Sequence, residues 1–158
     1  MQIHLADLDD PLHQQALISL LDMYCRDQFG SGKPLPAETR GKLVAGLQAA
    51  RGICFLAAEQ AAAGQNEFIG LALCLPSFSS FRARPIINIH DIAVAPGHRG
   101  KGVGQALLQA VEQEARRRGC CKVTLEVRAD NEVAKAAYRR AGFTSTDPET
   151  LFWGRELG

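Results

Sequence analysis

The stretch that decides the fold reads IINIHDIAVAPGHRGKGVGQALLQAV and runs from residue 86 to residue 111. Its first part, residues 86–94, is rich in β-branched side chains, which predicts a strand. Its last part begins near Val103 and repeats apolar residues at helical spacing, which predicts an amphipathic helix. Residues 95–104 between them are rich in glycine, so the chain turns there from strand to helix.

This glycine-rich turn has the features of an anion-binding site. Gly100, Gly102 and Gly104 leave backbone N–H groups unshielded, and the positive end of the following helix lies beside them. Arg99 and Lys101 add positive charge. A Walker A loop needs Lys and then Ser or Thr directly after Gly102, and a Rossmann fingerprint needs a third glycine or an alanine that is absent. The pattern that remains is R-x-x-G-x-G, with a phosphate or pyrophosphate as its natural occupant.

The rest of the chain combines helical and extended segments. We expect helices that begin near residue 11, at 37–50, at 103–118 and at 131–140. We expect strands at 1–5, 53–59, 68–75, 86–94, 122–127 and 150–157, and an irregular loop at 76–85. This order predicts one domain of the α/β or α+β class over residues 1–158.

Composition narrows the possible partners and surroundings. Of the 158 residues, 46% are hydrophobic and 22% are charged, and the formal net charge of +1 lacks the basic excess of a nucleic-acid binder. The N-terminus does not read as a signal peptide, and no stretch approaches the ~20 apolar residues of a membrane span. The five cysteines form no C-x-x-C pair, which predicts buried thiols and no metal site. We therefore expect a cytoplasmic protein without nucleic-acid or membrane partners.

Two segments resemble the GNAT superfamily of N-acetyltransferases. Residues 91–104, DIAVAPGHRGKGVG, are similar to its acetyl-coenzyme A signature. Residues 127–143, VRADNEVAKAAYRRAGF, are similar to its next segment, N-x-x-A-x-x-x-Y-x-x-x-G-F. The two lie in the family's order and spacing. The resemblance implies a central mixed, mostly antiparallel sheet flanked by helices and splayed between strands 4 and 5, with acetyl-CoA in the splay.

The resemblance also implies a reaction and the residues that serve it. The reaction is direct transfer of the acetyl group of acetyl-CoA to a primary amine of a small molecule or peptide, without a metal. Backbone N–H groups of residues 92–94 lie beside the thioester oxygen, Asn131 binds the pantetheine arm, and Tyr138 gives a proton to the leaving thiolate. A homodimer is plausible, because members often pair. The acetyl-CoA contacts expected on this basis are Ile92, Ala93, Val94, Arg99, Gly100, Lys101, Gly102, Val103, Gly104, Gln105, Asn131, Ala134 and Tyr138.

The residue that accepts the proton of the amine remains open at this point. Many family members carry a glutamate on the strand at 86–94, and this strand has none. His90 could accept the proton directly or through water. Asp91 could accept it instead, or could orient a neighbour or attract a cationic acceptor, and a purely water-mediated route is the third possibility. Strict alternation predicts that Asn88, His90 and Ile92 share one face of the strand and that Ile89, Asp91 and Ala93 share the other.

The acceptor site is the least defined part of the prediction. In the resembled family it is framed by the first two helices, their connecting loop and the last strands, which here suggests Tyr24, Asp27 and Asn88 as contacts. The sequence does not separate a small amine from a peptide. The alternative function is a non-catalytic acyl-CoA-binding sensor or regulatory module, which would keep the glycine-rich turn without turning over.

Overall fold

A computed structural model describes residues 1–60, 66–145 and 154–157. Those ranges contain five strands and four helices in the order β-α-α-β-β-β-α-β-α, and a 3-10 turn at Pro96–His98 follows the fourth strand. The strands are β1 (Gln2–Leu5), β2 (Ile53–Gln60), β3 (Asn66–Ser79), β4 (Arg84–Val94) and β5 (Lys122–Leu125). The helices are α1 (Pro11–Arg26), α2 (Ala37–Ala49), α3 (Val103–Arg117) and α4 (Glu132–Arg140). No helix in the described ranges is both long enough and apolar enough to cross a membrane.

The strands form one mixed sheet in the order β1-β2-β3-β4-β5. Every neighbouring pair is antiparallel except β4 and β5, which run parallel. The β4–β5 pairing begins at Ile86 with Lys122 and ends at Ile89 with Leu125. Residues 90–94 therefore continue β4 with no strand beside them on that side in the described part of the chain. This confirms the expected mostly antiparallel sheet with a splay between strands 4 and 5.

Helices cover both faces of the sheet. One apolar cluster packs the inner face of α3 against the sheet and includes Val103, Leu107 and Val111, each at most 2% exposed. The other cluster packs α1 and α2 against the opposite face, around Leu17 and Leu47. Burial of these side chains is the main stabilising contribution to the layered arrangement.

A β-bulge in β4 overturns the alternation predicted for that strand. Leu73 of β3 lies opposite Asp91, but the next residue of β3 lies opposite Ile89, so His90 is an extra residue in β4. Before the bulge, Ile89 packs in the α3 cluster, and after it Ile92 does so as well. The prediction that Ile89 and Asp91 share a face, with His90 and Ile92 on the other, is therefore wrong. Asp91 lies on the α1 face of the sheet with Ala93, which packs in the α1 cluster.

The segment expected to be a loop, residues 76–85, is instead mostly a hairpin. β3 continues to Ser79 and β4 starts at Arg84, so only residues 80–83 turn. Pro76 lies within β3 opposite Ile87. A proline is tolerated there because β2 begins at Ile53, opposite Cys74, so the pairing of β2 with β3 does not reach Pro76.

The last strand expected from the sequence, at 150–157, falls largely outside the described residues. Gly154–Leu157 are described and carry no strand. β5 is also shorter than expected, because it ends at Leu125 and not at residue 127.

Candidate active site

The open edge of β4 supplies backbone groups that the sheet does not use. The carbonyl oxygen of Ala93 lies against β3, since it would be only 3.0 Å from a Cβ placed at Gly70. Successive residues of a strand direct their backbone groups to opposite sides, so those of Ile92 and Val94 face the splay. Of the three consecutive residues expected to contact the acyl donor, Ile92 and Val94 therefore present their N–H groups to the gap, while the backbone of Ala93 is turned to β3.

The glycine-rich turn brings further N–H groups to the end of the same gap. Gly100 and Gly102 have φ angles of 74° and 87°, in the left-handed region that glycine adopts without strain. Gly102 is the N-cap of α3, and no side chain caps this helix. The N–H groups of Val103, Gly104 and Gln105 in the first turn have no partner within the helix. An uncapped helix end with unshielded N–H groups is a site suited to a phosphate or diphosphate.

Two side chains expected to contact the acyl donor have protein partners instead. Nε of Arg99 donates to the Val94 carbonyl oxygen at 3.0 Å, and its Nη2 donates to Oδ2 of Asp27 at 2.9 Å. Nε2 of Gln105 donates to the carbonyl oxygen of Ala137 at 2.8 Å, which ties α3 to α4. Val103 as a whole residue is only 2% exposed and packs in the α3 cluster, so its side chain is not available to a ligand.

α4 carries the second group of predicted residues to the α3 side of the gap. Asn131 is its N-cap, and Oδ1 of Asn131 accepts from the Ala134 N–H at 3.1 Å. Tyr138 packs edge-to-face on Phe143, with ring centres 6.1 Å apart. Burial raises the pKa of Tyr138 to about 12, and the phenol of Tyr24 adds to that increase. The phenol of Tyr138 is therefore protonated throughout the physiological pH range.

Tyr24 and Asp91 approach the gap from the α1 side. Tyr24 packs at the margin of the α1 cluster, whereas Tyr138 packs at the margin of the α3 cluster, so the two phenols flank the sheet from opposite faces. Burial raises the pKa of Tyr24, and the negative charges of Asp91 and Asp27 raise it further. Burial also raises the pKa of Asp91, while the neighbouring His90 opposes that shift. His90 itself is exposed at the bulge.

A polar cluster that sequence reasoning missed lies across the start of the splay. Nδ2 of Asn88 donates to Oγ1 of Thr124 at 3.1 Å and to both carboxylate oxygens of Glu126, at 3.1 and 3.3 Å. Val123 and Leu125 pack in the α3 cluster, so the alternating residues Thr124 and Glu126 face the α1 side. That alternation, read together with the pairing of the two strands, is the signal that could have identified Glu126.

Asp27 is engaged by protein groups at both carboxylate oxygens. Oδ1 accepts from the Phe29 N–H at 3.1 Å, and Oδ2 accepts from Arg99. The Phe29 N–H and the Arg99 guanidinium lower the pKa of Asp27 below its ordinary value. Asn88 thus lies at the start of the splay with its amide bound to Thr124 and Glu126, and Tyr24 packs at the margin of the α1 cluster, while Asp27 serves the turn that follows α1.

Known proteins match this chain in sequence. The model of the Acetyltransferase (GNAT) family matches residues 16–143. A streptothricin acetyltransferase from Streptomyces lavendulae is 48% identical over 67 residues, which cover 42% of this chain and 34% of that protein. A mycothiol acetyltransferase from Saccharomonospora viridis is 35% identical over 72 residues, which cover 46% of this chain and 24% of that protein. The matched segment is thus about a third or less of the length of these curated relatives.

Solved structures match the chain over nearly its whole length. A structure described as a probable acetyltransferase superposes with a TM-score of 0.82 at 28% identity, and the match covers 100% of this chain and 99% of that one. An aminoglycoside acetyltransferase from an uncultured soil metagenomic sample, solved with sisomicin, superposes with a TM-score of 0.78. Its identity is 18%, over 98% of this chain and 95% of that one, so this second likeness concerns the fold alone.

Proposed function

We propose, because the chain belongs to the GNAT family of acetyltransferases, that it transfers an acetyl group from acetyl-CoA directly to a primary amine. One observation carries the proposal. The N-terminus of α3, with Gly100 and Gly102 in left-handed conformations, lies at the end of the same gap that residues 90–94 of β4 line where β5 no longer pairs with them. An anion site that lies next to an open strand edge suits a ligand with a diphosphate at one end and amide groups along its length.

The residues present fit acetyl-CoA. The N–H groups of residues 103–105 and the charge of Lys101 would hold the diphosphate, and the backbone edge of Ile92 and Val94 would pair with the amide groups of the pantetheine arm. Asn131 and Ala134 lie at the start of α4, on the opposite side of the gap, and would contact the pantetheine arm from that side. When bound, acetyl-CoA supplies a thioester carbonyl carbon that an amine can attack.

The transfer needs charge stabilisation and proton movements. A C–N bond forms and the C–S bond breaks. The ammonium ion first loses one proton to a base, which passes it to solvent; the nitrogen loses a second proton as it becomes the amide, and this proton replaces the one that the leaving thiolate takes up. The N–H groups of Ile92 and Val94 are donors fixed on a strand, which suits them to stabilise the negative charge that develops on the carbonyl oxygen. Tyr138, protonated because its pKa is raised to about 12, donates the proton that the thiolate takes up.

On the α1 side, carboxylates prepare the amine. An alkyl amine has a pKa near ~10, so it arrives as an ammonium ion and must lose a proton before it reacts. Asp91 and Glu126 attract this cation. Asp91 then accepts the proton, because burial raises its pKa toward the range in which a general base works best. Tyr24 and Asn88 line the same side and contact the acceptor.

The proposed acceptor is a small cationic amine. We also propose that residues 1–158 form one cytoplasmic domain that carries the whole activity. The support for a small cation is the pair of carboxylates on the acceptor side, together with two relatives. One of them is named for streptothricin, and the other was solved with sisomicin. Both compounds therefore belong in a screen of possible acceptors.

The decisive experiment combines binding and turnover. Calorimetry with coenzyme A measures donor binding, and a thiol-release assay with acetyl-CoA measures transfer to streptothricin, sisomicin, polyamines, amino acids and short peptides. We expect one-to-one binding and release with at least one cationic amine. Binding without release from any acceptor would instead favour an acyl-CoA-binding regulatory module. Absence of binding would contradict the proposal altogether.

A further inference from the structure

The side chain of Arg99 joins the glycine-rich turn to the end of α1. Its Nε donates to the Val94 carbonyl oxygen at 3.0 Å, and its Nη2 donates to Asp27 Oδ2 at 2.9 Å. Nε and Nη2 form one of the two forks that a guanidinium offers. One acceptor belongs to the open edge of β4 and the other to the residue that ends α1. A single planar group therefore fixes the spacing between these two elements.

The turn that Arg99 holds is tightly built. Asp27 ends α1, and its N–H donates to the Tyr24 carbonyl oxygen at 3.0 Å. Its side chain accepts from the Phe29 N–H, and its carbonyl oxygen accepts from the Gly30 N–H at 3.0 Å. A Cβ at Gly30 would lie 2.3 Å from the Tyr24 carbonyl oxygen, so the chain passes directly over this turn of the helix. Whatever fixes Asp27 also fixes the last turn of α1.

That last turn carries Tyr24 to the acceptor side of the gap. The Asp27 N–H is bonded to the Tyr24 carbonyl oxygen, so the two residues belong to one turn, and the negative charges of Asp91 and Asp27 both raise the pKa of Tyr24. Arg99 therefore contacts Asp27, and Asp27 in turn contacts Tyr24, which lies at the proposed acceptor site. The diphosphate end of the gap, in contrast, has its own donors in the N–H groups of residues 103–105 and its own cation in Lys101.

We infer that Arg99 is a positioning residue for the acceptor side, where it holds Asp27 and through it the end of α1 and Tyr24, and that it is not a ligand of the donor's phosphates. This inference rests on the proposed function, because it assigns one residue of the proposed site to the acceptor and away from the donor. It also reverses the role that the R-x-x-G-x-G pattern predicts for Arg99.

Six variants, two of them comparisons, separate the two roles. Arg99→Gln and Asp27→Asn each remove one partner of the contact, and the double variant removes both. Arg99→Lys keeps a point charge, which suffices for a phosphate, but it cannot span two acceptors as a fork does. Lys101→Gln removes a charge from the same turn and is the donor-side comparison. Arg116→Gln breaks an exposed ion pair with Glu112 on α3 and serves as the neutral control.

Each variant is tested by three measurements. Calorimetry gives the Kd for coenzyme A, steady-state kinetics gives the KM for the most active amine of the screen, and hydrogen exchange reports the amides of Phe29 and Gly30 in the free protein. We expect Arg99→Gln, Arg99→Lys and Asp27→Asn each to raise the amine KM about fivefold, the scale of an exposed ion pair. The double variant should be no worse than either single one, and the two amides should exchange faster in each. The Kd for coenzyme A should change less than about twofold, except in Lys101→Gln.

The opposite pattern would overturn the inference. If Arg99→Gln raises the Kd for coenzyme A while Asp27→Asn and Arg99→Lys do not, Arg99 binds phosphate. If the variants leave amide exchange at Phe29 and Gly30 unchanged, the contact does not hold the turn. The exchange and calorimetry readouts need no acceptor, so they decide the inference even if no amine in the screen is acetylated, a result that would count against the proposed function alone.

Discussion

Asn88 donates its side-chain amide to both carboxylate oxygens of Glu126, at 3.1 and 3.3 Å, where β4 and β5 begin to separate. This contact holds a negative charge on the acceptor side of the gap. Glu126→Gln removes the charge and keeps the shape, so we expect the KM for a cationic amine to rise about tenfold while the Kd for coenzyme A is unchanged. Asn88→Ala should act in the same direction with a smaller effect, because the carboxylate remains but is no longer held. A loss of coenzyme affinity in Glu126→Gln would contradict this assignment.

The pH dependence of kcat/KM distinguishes Asp91 from His90 as the group that accepts the proton. If Asp91 is the base, kcat/KM falls as the pH drops through its raised pKa, and Asp91→Asn removes this acid limb. The positive charge of His90 lowers the pKa of Asp91, so His90→Ala should move the limb to higher pH without abolishing it. Disappearance of the limb in His90→Ala would assign the proton to His90, and a limb that survives both substitutions would favour water.

Tyr138→Phe tests the proton donor. The edge-to-face contact with Phe143 uses the ring and not the hydroxyl, so the variant should fold normally. We expect kcat to fall about 10²-fold, the lower end for loss of a positioned acid, with the Kd for coenzyme A within about twofold of the parent value. Because the pKa of Tyr138 is about 12, its ionisation cannot cause a decline in rate below pH 10. Any such decline should persist in the variant, and its loss would show that Tyr138 ionises earlier than burial implies.

Gly102→Ala and Gly104→Ala form a matched pair in the glycine-rich turn. Gly102 has a φ angle of 87°, which costs an alanine about 1–2 kcal/mol. Gly104 has no positive φ, and a Cβ there would meet only Val94 Cγ2 at an ordinary 3.9 Å. Thermal unfolding should therefore show a lower Tm for Gly102→Ala and an unchanged or higher Tm for Gly104→Ala. Equal losses in the two variants would argue against the left-handed conformation of Gly102.

Glu114 should make the protein sensitive to acid. This residue is 8% exposed and pairs with Arg117 and Arg118, and the hydrogen bond from Arg117 is the largest cause that lowers its pKa to about 2. A lowered folded pKa stabilises the fold above the unfolded pKa near 4.5, and this contribution is lost as the pH falls toward 2. Allowing for screening of the exposed arginines, the contribution is about 2 kcal/mol. In urea titrations at pH 7 and pH 3, Glu114→Gln should lower the free energy of unfolding at pH 7 by about this amount and flatten its decline with acid. An unaltered decline would place the acid-sensitive group elsewhere.

The parts of the fold that local chemistry specifies were predicted from the sequence. The spacing of apolar residues is enough for α3, because its buried stripe from Val103 to Ala115 repeats at helical intervals. Gly119 and Gly142 end α3 and α4 with positive φ angles, as their positions indicate. The glycine-rich turn was recognised because glycine lacks a Cβ atom, so a run of glycines leaves the backbone N–H groups unshielded.

Features that depend on pairing between distant segments were missed. Nothing in the sequence near Pro76 reveals that β2 begins opposite Cys74. A proline is acceptable in the hairpin because the pairing of β2 with β3 does not reach it. The contact between Asn88 and Glu126 depends on the register of β4 against β5, which the sequence does not specify. The partner of Arg99 was missed for the same reason, since Asp27 lies 72 positions away along the chain.

The extra residue at His90 has a consequence for anyone who transfers roles from a relative or shortens this strand. Counting in twos from Asn88 arrives at His90 and Ile92, and suggests that the acceptor side lacks an acid on β4. After the bulge, the odd-numbered residues of β4 face the α1 side of the sheet, so Asp91 lies on the acceptor side. Deleting His90 would restore a regular ladder and keep Asp91 opposite Leu73 on the α1 side, because the residue removed is the extra one. Deleting Asp91 instead would bring His90 to that register position and leave the acceptor side without its strand carboxylate.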